Sequence, residues 1–126
     1  MQWTALVTGL VLLMYLALGA LVGRARGMHN VPAPAMTGHP AFERIMRVHQ
    51  NTAEQLIMFL PSVWMFAYFV SDMWAAVLGL VFMAGRLLYA QGYFAEASRR
   101  GPGFAISALA TLTLLVGGVV GAFLSP

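Results

Sequence analysis

Three stretches of this chain carry no charged side chain: Met1 to Gly23, Gln55 to Ser71 and Gly101 to Pro126. Each approaches or exceeds the ~20 residues a helix needs to cross a hydrocarbon layer of ~30 Å. The expectation is an all-α membrane protein, an up-down four-helix transmembrane bundle built as a single domain over residues 1–126. With 60% hydrophobic and 9% charged residues, little polar sequence remains for a separate soluble domain, against roughly 25% charged residues in soluble domains.

Helix one is expected over about 3–23. It reads as a retained anchor, not a cleaved leader, because no basic residue precedes its apolar run and Arg24 and Arg26 follow it. The segment Arg24 to Gly38, with Pro32 and Pro34, reads as the long connection. Thr37-Gly38-His39-Pro40 then looks like a helix start, since proline suits a first turn and Glu43 suits the positive end of the helix dipole. Helix two is expected over about 41–70, charged in its first turns and apolar later, with a kink at Pro61. Ser71-Asp72 is a tight turn into helix three, about 73–98. Arg99-Arg100-Gly101-Pro102-Gly103 is expected to break the chain before helix four, about 104–124. Counting basic residues puts the connections after helices one and three on the cytoplasmic side, which in a bacterial cell means the inner membrane.

Composition excludes several chemistries. Without cysteine there is no disulfide, thiolate nucleophile or thiolate metal site in the chain. The scattered His29, His39 and His49 complete no metal site, and His49 reads as a hydrogen-bonding spacer. The net charge of +3 rests on seven arginines and no lysine. Those arginines stand at helix ends, which suits an anionic ligand or a lipid headgroup rather than nucleic acid.

Two polar stripes carry the functional signal. Arg47, Asn51 and Glu54 fall at i, i+4 and i+7 on helix two, one face over two turns. Arg86, Tyr89, Tyr93 and Arg100 fall at i, i+3, i+7 and i+14 on helix three and share a second face. Both stripes lie at the same depth. Two readings stand at this point. Arg47 and Glu54 pair internally and glue helices together while the tyrosines act as interface aromatics, or the stripes bind a small ligand. Such a ligand would offer carboxylates to the arginines, an ammonium to Glu54 and peptide groups to Asn51 and the tyrosines. Glutathione has that inventory.

The run from Pro40 to Glu54 (Pro-Ala-Phe-Glu-Arg-Ile-Met-Arg-Val-His-Gln-Asn-Thr-Ala-Glu) resembles the signature of the membrane-associated proteins in eicosanoid and glutathione metabolism, the MAPEG family. Gly85-Arg86-Leu87-Leu88-Tyr89-Ala90-Gln91-Gly92-Tyr93 resembles the helix-three motif of its microsomal glutathione transferase and leukotriene C synthase branch. Gln55 stands where that branch carries tyrosine, and Val48-His49 is similar to another branch, so the mixture fixes no subfamily. The resemblance implies a homotrimer with glutathione as co-substrate, bound between neighbouring subunits at the cytoplasmic end. It assigns Arg26, Arg47, Asn51, Glu54, Arg86, Tyr89 and Tyr93 to glutathione and Arg100 to its thiolate, with no metal. The implied activity is conjugation of glutathione to a lipophilic electrophile arriving through membrane lipid. Within the same family, a non-catalytic lipid-binding role and glutathione-dependent isomerisation or peroxide reduction are the alternatives.

Overall fold

The computed structural model describes residues 1–125; Pro126, the last residue of the third apolar stretch and of the expected domain, lies outside them. Four helices follow one another: α1 (Gln2–His29), α2 (Pro40–Phe69), α3 (Asp72–Ala95) and α4 (Gly101–Leu124), with a 3₁₀ turn at Ala97–Arg100 running directly into α4. Gln2–His29, Asp72–Ala95 and the continuous Ala97–Leu124 are long and apolar enough to cross a membrane. α2 is long enough but falls short in composition, because its first half carries Glu43, Arg44, Arg47 and Glu54. Large apolar side chains such as Leu13, Leu16, Ile57, Trp74, Leu109 and Phe123 point outward around the bundle. That surface suits lipid, not water.

α2 and α3 form the central pair, and each packs against both α1 and α4. The core joins Val7, Val11 and Met14 of α1 to Phe59 and Val63 of α2, Phe82 of α3 and Leu114 of α4. Phe59 and Phe82 stack with ring centroids 3.9 Å apart at its centre. In lipid, close helix packing depends on small residues rather than on expelling water. A Cβ on Gly103 of α4 would come within 2.1 Å of the Tyr89 backbone nitrogen, and one on Gly85 of α3 within 2.7 Å of that of Ser107. These two glycines let α3 and α4 touch backbone to backbone.

Three boundaries differ from the sequence expectation. α1 does not stop at Gly23 but continues to His29, and Asn30 ends it in the left-handed region (φ 54°), a conformation asparagine tolerates. The long connection therefore shrinks to Asn30–His39. There His29 and His39 stack with centroids 3.9 Å apart, and His39 caps α2 by accepting a hydrogen bond from Ala41 N at 3.1 Å. α2 passes through Pro61 without interruption; Ser62 Oγ donates to Met58 O at 2.6 Å in the turn that lacks proline's donor. α3 ends at Ala95, short of the expected residue 98, and the chain breaks at Glu96, which is extended (φ −162°). Gly101-Pro102-Gly103 is no breaker here. It forms the first turn of α4, where proline's missing N–H costs nothing.

At the other end, Asp72, expected in the turn but found as the first residue of α3, caps α1. Its carboxylate accepts from Thr4 N at 2.9 Å, Thr4 Oγ1 at 2.6 Å and Trp3 N at 3.2 Å, and lies 3.6 Å from the Met1 amino group. A carboxylate on exposed amides at a helix start satisfies donors that otherwise lack partners and opposes the positive end of the dipole.

Candidate functional site

The charged first half of α2, the last turns of α3 and the start of α4 meet around a cavity of about 420 Å3. α2 contributes Arg47, Gln50, Asn51 and Glu54, α3 contributes Tyr89 and Tyr93, and Arg100 and Phe104 close the third side. Six of the eight residues assigned to the site from sequence therefore converge. The helical phase explains this: residues three, four and seven apart on α2 face the same way, and Tyr89 and Tyr93 lie one turn apart on α3.

Arg100 reaches the cavity by a different route from the one expected. It is not on α3, because α3 stops at Ala95; the 3₁₀ turn after Glu96 brings its guanidinium back over the ring of Tyr93, 5.7 Å from the centroid. Tyr93 and Tyr89 are buried and their rings lie 5.6 Å apart, with Phe104 6.2 Å from Tyr89. The floor is aromatic and fixed. Arg47, Glu54 and Arg100 at the rim are exposed.

Arg86 and Arg26 do not line this cavity. Arg86 is 1% exposed and lies beneath the floor, its guanidinium 4.2 Å from the Tyr89 ring centroid. Its Nη2 donates to Asn51 Oδ1 and to Thr52 Oγ1, each at 2.8 Å, while Nε and Nη1 have no partner. It thus orients Asn51, which does line the cavity. Arg26 is a loop clamp: Nη1 donates to Ala35 O at 2.7 Å and Val31 O at 3.3 Å, and the guanidinium lies 5.0 Å from the Phe42 ring centroid. His49 stacks on Tyr15 of α1 with centroids 4.6 Å apart. No cluster of three or more metal-ligating side chains occurs among the described residues.

Sequence reasoning missed Gln50 and Phe104. Gln50 had a signal, standing three residues after Arg47 on the same face. Phe104 had none, because the expected break at Gly101–Gly103 hid that it stands one helical turn after Arg100.

The charges at the rim are not consumed internally. Among the described residues, ion pairs join Met1 to Asp72 and Arg99 to Glu96, and none includes Arg47, Glu54 or Arg100. Within the protomer, the reading in which Arg47 and Glu54 take part in a salt-bridge network between helices therefore finds no ion pair to rest on. Two guanidiniums, one carboxylate, two amides and two phenols thus line the cavity.

Comparison with known proteins agrees with this layout. The sequence profile of the MAPEG family matches residues 4–120. The chain belongs to the MAPEG family. Among its relatives, an uncharacterized protein of Synechocystis is 47% identical over 118 residues, covering 94% of this chain and 86% of the relative. Microsomal glutathione S-transferase 2 of Homo sapiens is 44% identical over 96 residues, 75% of this chain and 65% of the relative, so the match spans just under two thirds of that protein. Leukotriene C4 synthase of Cavia porcellus is 37% identical over 120 residues, 89% of this chain and 79% of the relative. The MAPEG match runs from the start of α1 nearly to the end of α4 and so contains the whole cavity lining.

Proposed function

We propose that this protein is a membrane-bound glutathione transferase, with glutathione held in the cavity between α2, α3 and α4 and its thiolate stabilised by Arg100. The observation that carries the reading is the set of unpaired charges at the cavity rim. Arg47, Arg100 and Glu54 leave the lining with a single net positive charge. Glutathione in its thiol form carries two carboxylates and one ammonium, the opposite single charge, and the thiolate form adds a second. The volume of about 420 Å3 lies within the roughly 300–1,000 Å3 usual for small-ligand sites.

In this reading Arg47 takes a carboxylate, Glu54 the ammonium, and Asn51, Gln50 and the tyrosine hydroxyls the peptide groups. Arg86 and Arg26 act as supports, the first by aiming Asn51 and the second by fixing the loop before α2. A free thiol has a pKa of ~8.5, and an adjacent guanidinium favours the anion. The thiol proton leaves to water, and the thiolate sulfur forms a C–S bond to the electrophilic carbon. The displaced leaving group or newly formed carbanion takes the negative charge. Phe104 on the membrane-facing α4 supplies the apolar side from which a lipophilic electrophile approaches. In the homotrimer that the family resemblance implies, a neighbouring subunit would close the exposed rim, with the α1–α2 and α3–α4 connections cytoplasmic.

Arg100→Ala is expected to slow conjugation of a chlorodinitrobenzene-type electrophile by about a hundredfold or more while glutathione binding largely survives. Turnover equal to wild type in Arg100→Ala would remove the assignment. Binding is read separately: glutathione at 100 times its dissociation constant is expected to stabilise the detergent-solubilised protein by ~2.7 kcal/mol. Protein stabilised by glutathione yet inert toward a panel of electrophiles and peroxides would instead be a non-catalytic lipid-binding member.

A further inference from the structure

A second cavity, of about 370 Å3, lies on a different face of α3 and shares no lining residue with the first. Its walls are Leu88, Gln91 and Ala95 of α3, Arg99 of the 3₁₀ turn and Pro102 at the start of α4. The spans Asp72–Ala95 and Ala97–Leu124 meet here, so the groove straddles the margin of the apolar region. Leu88, 49% exposed, faces the lipid side, and Arg99 stands at the polar rim.

We infer that this groove is a binding site for an anionic phospholipid, with the phosphodiester on Arg99 and Gln91 and the upper acyl chain along Leu88, Ala95 and Pro102. Arg99 is suitably placed and incompletely occupied. Its Nε lies 3.5 Å from Glu96 Oε2 in an exposed pair, which leaves the two terminal nitrogens of the planar fork for a phosphate, the geometry guanidinium groups match. The turn that carries Arg99 is fixed from beneath, because a Cβ on Gly92 would come within 2.4 Å of the Arg99 carbonyl oxygen. The main chain that carries Arg99 is therefore fixed beside the groove, while its exposed guanidinium stays free to turn onto a headgroup. Glu96 acts as a built-in competitor for the same guanidinium. A zwitterionic lipid is disfavoured because its ammonium would sit beside Arg99 and Arg100. A free phosphate ester is disfavoured because the apolar wall would stay uncovered.

The site is tested on the purified full-length protein in detergent micelles doped with equal amounts of phosphatidylglycerol and phosphatidylcholine, counting bound lipids by native mass spectrometry. Phosphatidylglycerol adducts are expected to dominate. A juxtamembrane cation contributes about 1 kcal/mol to anionic lipid binding, so Arg99→Gln is expected to lower those adducts about fivefold. Glu96→Gln, which frees Arg99 of its competitor, is expected to raise them, and Arg24→Gln, at the other connection, to leave them unchanged. Glycerol phosphate at the same concentration is expected not to displace the lipid. Equal binding of the two lipids, an Arg24→Gln effect as large as that of Arg99→Gln, a fall with Glu96→Gln, or displacement by glycerol phosphate would each overturn the proposal. None of these readouts depends on glutathione.

Discussion

At the start of α3 a single carboxylate, Asp72, accepts from two backbone amides and one hydroxyl and faces the Met1 amino group. At the opposite end, where α2 begins and α3 gives way to α4, Arg47, Glu54 and Arg100 surround a cavity without any ion pair among them. Both ends place charge near a membrane margin, where ionisable groups are costly. The first uses its charge to hold a helix start in place; the second holds its charges back. Arg47 and Glu54 share one face two turns apart, too far for the usual pairing within a helix, and the protomer supplies neither with another partner, which is the ground for proposing that end as the glutathione site.

The contrast can be broken by substitutions that should affect one end's property and not the other's. The largest effect is expected from Arg47→Gln, which removes a charge-assisted bond to a ligand carboxylate: the glutathione dissociation constant, measured by calorimetry, should rise about tenfold or more with no loss of thermal stability. Arg86→Met comes next. The buried guanidinium already has two unpartnered nitrogens, and apolar replacement of such a group is often neutral or stabilising, so Tm should hold or rise. Asn51 loses its orienting donor, and glutathione affinity should fall several-fold, by about the worth of one hydrogen bond. A sharp drop in Tm for Arg86→Met would show that this end, too, is held together by its charges. The smallest effect is expected from Asp72→Asn, which should lower Tm by about as much as the loss of a helix cap and leave glutathione affinity unchanged. An affinity change there would mean that the two ends are coupled.

The membrane class, four helices and the convergence of Arg47, Asn51 and Glu54 with Tyr89 and Tyr93 were legible because helical phase is a local property of sequence. Depth is not. Arg86 shares the phase of Tyr89 and Tyr93 and was expected beside them, yet α2 covers it, and only the position of Thr52 and Asn51 on that neighbour decides this. Arg26 was assigned to glutathione by the family resemblance alone, and within the protomer it clamps the connection after α1, whose end at Asn30 the expected loop start at Arg24 had hidden. Arg100 was placed correctly at the cavity for an incorrect reason. Counting onward along an imagined longer α3 gave the right direction, whereas the chain achieves it by an extended residue and a 3₁₀ turn. The backbone contact of Gly85 and Gly103 could not be foreseen, since a glycine reveals a close approach only once its neighbour is known.

That contact bears on how molecules come and go. With α3 and α4 in contact main chain to main chain, sliding one helix along the other would drive Gly103 into Tyr89. The arginine and glutamate side chains at the cavity rim are exposed in the protomer, and rotamers of exposed residues change on the picosecond-to-nanosecond scale. If glutathione binds there as proposed, these side chains and its own ionic contacts gate its exchange on the protomer's side, while α3 and α4 stay in register.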